Sequence, residues 1–108
     1  MRELYKIHAE MCKVFSNHIR LEILDLLRDE ELSVSELMKK TGLSQANISQ
    51  HLSIMKSKGI VISDRDGKNI CYKLANPKII EAFDIMREVL AEKLKREEVT
   101  INLRGIKK

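Results

Sequence analysis

Glutamine and cysteine each occur only twice in these 108 residues, and no apolar run approaches the ~20 residues that a bilayer-crossing helix needs. Two cysteines, Cys12 and Cys71, are too few for a disulfide scaffold, and reduced thiols are the ordinary state in a cytosolic chain. The opening residues, Met1 to Glu10, alternate charged and apolar positions, which is not the pattern of a secretory signal. A cytoplasmic chain with no membrane partner is therefore expected. A Gly-rich phosphate loop, a nucleophile–base–orienter set and a zinc-protease motif are also absent, so neither an enzyme nor a cofactor is expected. There is no internal repeat and no low-complexity segment.

What is present describes a single domain with a thin core. Hydrophobic residues make up 44%, which suits a globular chain, and at this length association with a second copy would add buried surface. The net charge of +4 is mild, but its distribution is uneven. Residues 1–30 carry five Lys/Arg against six Asp/Glu, residues 31–60 four against two, and residues 61–108 eleven against eight. The excess lies in the middle and at the end, where a DNA-facing surface would need it. Thirteen Lys and eleven Glu lean toward a heat-adapted source.

Along the chain, Leu4, Ile7, Met11, Val14 and Phe15 recur at three and four, predicting a first helix over 3–15. Ser16-Asn17 ends it and offers a cap for a second helix, with Ile19, Ile23, Leu24, Leu26 and Leu27 on its buried side. Ser33-Val-Ser-Glu36 reads as a capping box. It opens a short third helix, with Val34, Leu37 and Met38 inward, that stops at Gly42. Ser44 caps a fourth helix with Ile48, Leu52 and Met55 inward, closed by Gly59. Residues 33–58 thus form a helix-turn-helix pattern. Ile60-Val-Ile62 and the alternating Ile70, Tyr72 and Leu74 predict a hairpin over 60–74, turning at Asp66-Gly67. Asn76-Pro77 starts a last helix over 77–95, striped by Ile79, Phe83, Met86, Leu90 and Leu94. Residues 100–108 read as a frayed tail. The fold class expected is mainly α with a small β-hairpin, a winged helix-turn-helix in the order four helices, two strands, one helix.

The fourth helix carries the functional argument. At about 100° per residue, Ala46, Gln50, Ser53 and Ser57 fall opposite the buried stripe, flanked by Asn47 and Ser49, with Ser44 and Gln45 leading the first turn. That face has no carboxylate, in a chain where 33% of residues are charged, and it holds both glutamines. Gln and Asn can bond bidentately to adenine, Ser can bond either class of base, and Ala can pack on the thymine methyl. A solvated polar face without a partner is the plainer alternative. Lys39, Lys40, Lys56 and Lys58 suit sequence-independent phosphate contacts, and Arg65 and Lys68 flank the hairpin tip.

Three stretches together resemble a known group. They are Lys13-Val-Phe-Ser-Asn17 with Arg20-Leu-Glu-Ile-Leu-Asp-Leu-Leu27, then Glu31-Leu-Ser-Val-Ser-Glu-Leu37 with Thr41-Gly-Leu-Ser-Gln-Ala-Asn-Ile-Ser-Gln-His-Leu52, and last Lys58-Gly-Ile-Val61, Arg65-Asp-Gly67 and Tyr72-Lys-Leu74. Over about residues 4–95 the chain is similar to the ArsR-type (ArsR/SmtB) repressors of bacteria and archaea. The resemblance implies a homodimer held by the first and last helices, with recognition helices in successive major grooves. It also implies a repressor that an effector releases from a palindromic operator, with half-sites ~34 Å apart. The alternatives are a winged-helix protein-interaction module that does not bind DNA, or a general DNA-coating protein.

The family's sensing residues are missing. Metal-sensing members often carry cysteines where this chain has Ser33 and Ser35, and a hydroxyl does not replace a thiolate for a soft ion. Others bind metal on the last helix through Asp and His; here that helix has Asp84, Glu88, Glu92, Glu97 and Glu98 but no His. Neither pattern of metal site is therefore expected, and one other constellation remains. His8 and Cys12 lie four apart on the first helix, so a dimer could gather two such pairs; against this, Cys12 would be a small buried hydrophobe and His8 a surface residue. Cys71, with Cys12, is a redox candidate. His18 has a local role after the Asn17 cap, while His51 could bond within the core or touch a phosphate.

Overall fold

The computed structural model describes residues 1–97; the tail expected over 100–108 lies outside the described residues, as does Glu98. The elements run α1 (Arg2–Val14), α2 (His18–Leu26), β1 (Leu32–Ser33), α3 (Val34–Thr41), α4 (Gln45–Ser57), β2 (Val61–Asp66), β3 (Asn69–Leu74) and α5 (Lys78–Arg96). This is the mainly helical winged helix-turn-helix with one added strand. Two compact units divide it, Met1–Asn76 and the helix from Pro77 onward.

Local chemistry sets the helix ends. The Asn17 side chain accepts from the backbone N–H of Ile19 and of Arg20, at 2.9 and 3.1 Å, and starts α2. Ser33 and Glu36 form the full capping box. The Ser33 hydroxyl accepts from Glu36 N–H at 3.1 Å, and Ser33 N–H donates to Glu36 Oε1 at 3.0 Å. Hydrogen bonding to the Glu36 carboxylate, first from the Ser33 backbone N–H and then from the Ser33 hydroxyl, holds that carboxyl below the usual carboxylate range. Ser44 Oγ accepts from Asn47 N–H at 3.2 Å and caps α4. At the far end of α4, Gly59 takes φ of 73°, which lets Ile60 N–H reach Met55 C=O at 2.9 Å and Gly59 N–H reach Lys56 C=O at 3.0 Å. That is a Schellman closure, and it turns Ile60 into the core.

The core of the first unit lies where α2, α3, α4 and the sheet meet. Ile23, Leu24, Leu27, Leu32, Leu37, Ile48, Leu52, Met55, Ile60 and Val61 are all buried. Each large aliphatic side chain buried there stabilises the fold by about 1.5–3 kcal/mol. Val34, Met38, Ile19 and Leu26 are half-buried at its edge.

Three details differ from the reading of the sequence. The sheet has three strands in the order β1-β3-β2, with Leu32 opposite Tyr72 and Ser33 opposite Cys71. A two-residue strand has no period to read, and it forms because the packed helices bring Leu32 beside β3. The hairpin register pairs Asp66 with Asn69, so the turn is Gly67-Lys68 rather than Asp66-Gly67. Gly67, at φ of 63°, takes the first turn position, where both tight hairpin turns need a positive φ. The stripe of α1 is also mostly uncovered. Val14 is buried and Phe15, the C-cap, half-buried, but Leu4, Ile7 and Met11 are exposed.

In α5 the N-cap position is Pro77, and Phe83 is buried with the Arg87 guanidinium 4.3 Å from its ring centre. Ile79 and Leu94 are half-buried, whereas Ile85, Met86, Val89 and Leu90 are exposed. Among the described residues no helix is long and apolar enough to cross a membrane.

Candidate nucleic-acid interface

The two faces of α4 are chemically separate. Ile48, Leu52 and Met55 are completely buried, fixing how the helix is rotated on the core. Ser44, Gln45, Ala46, Ser49, Gln50, Ser53 and Ser57 are exposed, and Asn47 is half-buried at the edge. Ser44 already accepts the Asn47 N–H, so its hydroxyl is left as a donor to an outside group. The Ser57 hydroxyl donates to Ile54 C=O at 2.8 Å and is committed to its own helix.

The cations around this face differ in their engagements. Lys39 and Lys40 are exposed in the last turn of α3, where the helix dipole favours positive charge, and they stand beside the turn that ends at Gly42. Lys56 reaches from α4 to the hairpin, its Nζ donating to Ser63 Oγ at 2.7 Å. Lys58 stands 4.0 Å from Glu10 of α1. Arg65 and Lys68 are exposed at the hairpin tip.

Arg20 was not singled out in the sequence, yet it ties three elements together. Its Nε donates to Val14 C=O at 2.7 Å and its Nη2 to Lys13 C=O at 3.2 Å, satisfying two carbonyls at the end of α1. Its Nη1 stands 3.4 Å from Nδ1 of His51 on α4. The available signal was a long cation in the first turn of α2, half-buried beside the end of α1 where carbonyls lack helical partners. Burial lowers the His51 pKa, and the Arg20 charge and then His18 lower it further, so the ring is neutral at pH 7. Of the two roles open to His51, the structure supplies an internal partner. His18 is exposed.

The remaining candidates are spread out. His8 and Cys12 are both exposed on α1, four residues apart, and the expectation that Cys12 might be a buried hydrophobe does not hold. Cys71 is half-buried on β3, opposite Asp64 on one side and Ser33 on the other, and neither cysteine is in a disulfide. Among the described residues no group of three or more His, Cys, Asp or Glu side chains is placed to hold a metal ion.

Comparison with known proteins bears on this arrangement. The model of the arsR family of bacterial regulatory proteins matches residues 17–63, the stretch from the α2 cap into β2. The chain is 39% identical over 92 residues to the uncharacterized HTH-type transcriptional regulator Rv0081 of Mycobacterium tuberculosis, covering 84% of this chain and 81% of that protein. The crystal structure of Rv0081 superposes with a TM-score of 0.82 at 37% identity, over 89% of this chain and 97% of that one. The transcriptional activator HlyU of Vibrio cholerae is 30% identical over 95 residues, covering 85% and 88%. A solution structure described as the homodimeric winged helix-turn-helix DNA-binding domain of Mb0332 from Mycobacterium bovis matches with a TM-score of 0.80 at 30% identity, over 88% of each chain.

Proposed function

The chain belongs to the arsR family of bacterial regulatory proteins, DNA-binding transcriptional regulators, and we propose that it acts as a homodimeric repressor reading a palindromic operator through the exposed face of α4. The observation that carries this is the composition of that face. In a chain with 33% charged residues, an exposed helical face of Gln45, Ala46, Ser49, Gln50 and Ser53 has amides, hydroxyls and a methyl but no carboxylate. Base edges in the major groove offer the matching donors, acceptors and methyl groups, and nearby phosphates would repel a carboxylate.

The roles divide by reach. Gln50 and Gln45 are the direct readers, with Asn47 at the N-terminal edge; Ser44, Ser49, Ser53 and Ala46 complete the surface against the bases. Lys39 and Lys40 bind phosphate, and Arg65 and Lys68 carry the hairpin to the duplex. Lys56 contributes charge there while bracing the hairpin through Ser63. Phosphate contacts set affinity and orientation, and the amides set sequence.

Dimerisation is supported by the apolar surface left uncovered on each unit: Leu4, Tyr5, Ile7 and Met11 on α1, and Ile85, Met86, Val89 and Leu90 on α5. Clusters of this kind on a small soluble chain mark association surfaces. A two-fold dimer would present two copies of α4 to half-sites about 34 Å apart. Occupied promoter DNA is closed to polymerase, and an effector that favours a dimer spacing unable to span both half-sites releases it.

The test is selection of random duplex DNA by the reduced protein over a salt series. A recovered palindrome whose affinity falls steeply with salt supports the dimeric repressor. Weak, sequence-blind binding would make it a DNA-coating protein, and no binding at low salt would favour a protein-interaction module.

A further inference from the structure

Two isoleucines on the hairpin are equally uncovered, Ile62 at 42% and Ile70 at 41%, but they lie on opposite faces of it. Register and burial settle which face is which. Val61 is buried and pairs with Leu74; two residues on, Ser63 pairs with Tyr72; two further, Arg65 pairs with Ile70. With period two these residues share one face. Ser63 accepts the Lys56 ammonium at 2.7 Å, so this is the face turned toward α4. Ile62 lies on the other face, opposite Lys73, which pairs with Glu31 at 3.5 Å before β1.

The position of Ile70 follows from the same register. Strand rise is ~3.3 Å per residue, so the Arg65–Ile70 pair stands ~7 Å beyond the Lys56–Ser63 contact, outside the end of α4 and toward the hairpin tip. Directly paired residues on one face have Cβ atoms about 5 Å apart, which places a guanidinium and a branched aliphatic side chain side by side. Among the described residues, none forms an ion pair with Arg65. A cation beside an exposed aliphatic group suits the minor groove that adjoins the major groove facing α4. Its narrow A·T tracts attract arginine, its walls are deoxyribose carbons, and isoleucine is among the side chains that enter it.

We propose that Ile70, beside Arg65, packs against the sugar wall of the minor groove outside the half-site and gives the protein a preference for A·T pairs there. This rests on the DNA-reading assignment of α4. It adds a determinant on the hairpin that the amides of α4 do not reach, and it assigns Ile62 no part in DNA binding.

The matched pair of isoleucines makes the test internally controlled. Ile70→Ser and Ile62→Ser lose the same side chain from equally exposed strand positions, so their thermal unfolding should shift alike. Each variant and the wild type is titrated by fluorescence anisotropy against the selected operator with A·T flanks and with G·C flanks. The expected result is a loss of about tenfold for Ile70→Ser on the A·T-flanked operator, with flank discrimination gone, while Ile62→Ser stays within about twofold of wild type. Ile70→Val, which keeps a branched aliphatic surface, should retain the discrimination. A wild-type protein that selects a palindrome but ignores its flanks overturns the inference and leaves the α4 reading standing. So does an Ile62→Ser loss equal to that of Ile70→Ser, which would reduce the effect to hairpin stability. A wild-type protein that selects no operator overturns the α4 reading, and this inference with it.

Discussion

The helices α1 and α4 are each thirteen residues long and use those residues in opposite ways. α4 buries Ile48, Leu52 and Met55 completely and turns uncharged polar groups outward. α1 buries Val14, leaves Leu4, Tyr5, Ile7 and Met11 uncovered, and carries the exposed ion pairs Lys6–Glu3 and Lys13–Glu10. One helix is anchored by its own chain and has a face suited to bases. The other has an apolar face that its own unit does not cover. An apolar stripe read from periodicity therefore says that something covers it, without saying whether that is the same chain or a second copy.

Substitutions at matching positions in the two helices test that contrast. The largest effect is expected at Leu52, where truncation to Ala removes a fully buried side chain and should cost about 3 kcal/mol in urea unfolding. Leu4→Ala, at 57% exposure, should change the unfolding of the isolated unit by less than about 0.5 kcal/mol. A comparable loss at Leu4, measured at concentrations where the protein is a monomer, would mean that α1 is part of the core. Next in size is Ile7→Glu, which places a charge in the uncovered face. Sedimentation should show dissociation of the dimer, with operator affinity falling about 10²-fold because the two half-sites are no longer linked. An intact dimer would move the interface away from α1.

Gln50→Ala is expected to weaken operator binding by about tenfold and relax preference at one base pair, with unfolding unchanged. Lys40→Ala should instead weaken all sequences alike and reduce the slope of log affinity against log salt by about 0.9. Selection sequencing and salt titration separate the two; an unchanged operator preference in Gln50→Ala would remove that residue from the reading face.

The smallest effect concerns pH. The folded His51 pKa lies below the ordinary imidazole value of about 6.5. Above that value both folded and unfolded chains hold the ring neutral. As the pH falls through it, the unfolded chain takes up the proton first, so stability declines until the folded ring is also protonated. Unfolding midpoints of the wild type should therefore decline more steeply below pH 6.5 than those of His51→Gln. Parallel curves would show that burial and the neighbouring Arg20 charge do not favour the neutral ring.

Much of the architecture could be read from local sequence because its signals are local. Ser33 with Glu36, Asn17, Ser44, Gly42 and Gly59 mark helix ends through bonds spanning a few residues, and those bonds form as read. The buried side of α4 follows from the 3.6-residue period of Ile48, Leu52 and Met55, and the opposite face follows with it. The composition of that face, on which the proposed function rests, follows from local sequence alone.

What the sequence did not reveal depends on contacts distant along the chain. Leu32-Ser33 is a strand because Tyr72 and Cys71, about forty residues later, are brought alongside. Arg20 reads as an ordinary cation until folding sets it between the carbonyls of α1 and the ring of His51, thirty-one residues away. The turn moved by one residue to Gly67-Lys68 because the register of the whole hairpin, in which buried Val61 pairs with half-buried Leu74, outweighs the local preference of Asp-Gly. Periodicity and capping determined by themselves the helices, the polar face of α4 and the place of the hairpin, since each depends on neighbours within one or two turns. Which apolar stripe stayed uncovered, and which of two isoleucines faces α4, only the tertiary structure decided, because both depend on what packing brings across the core.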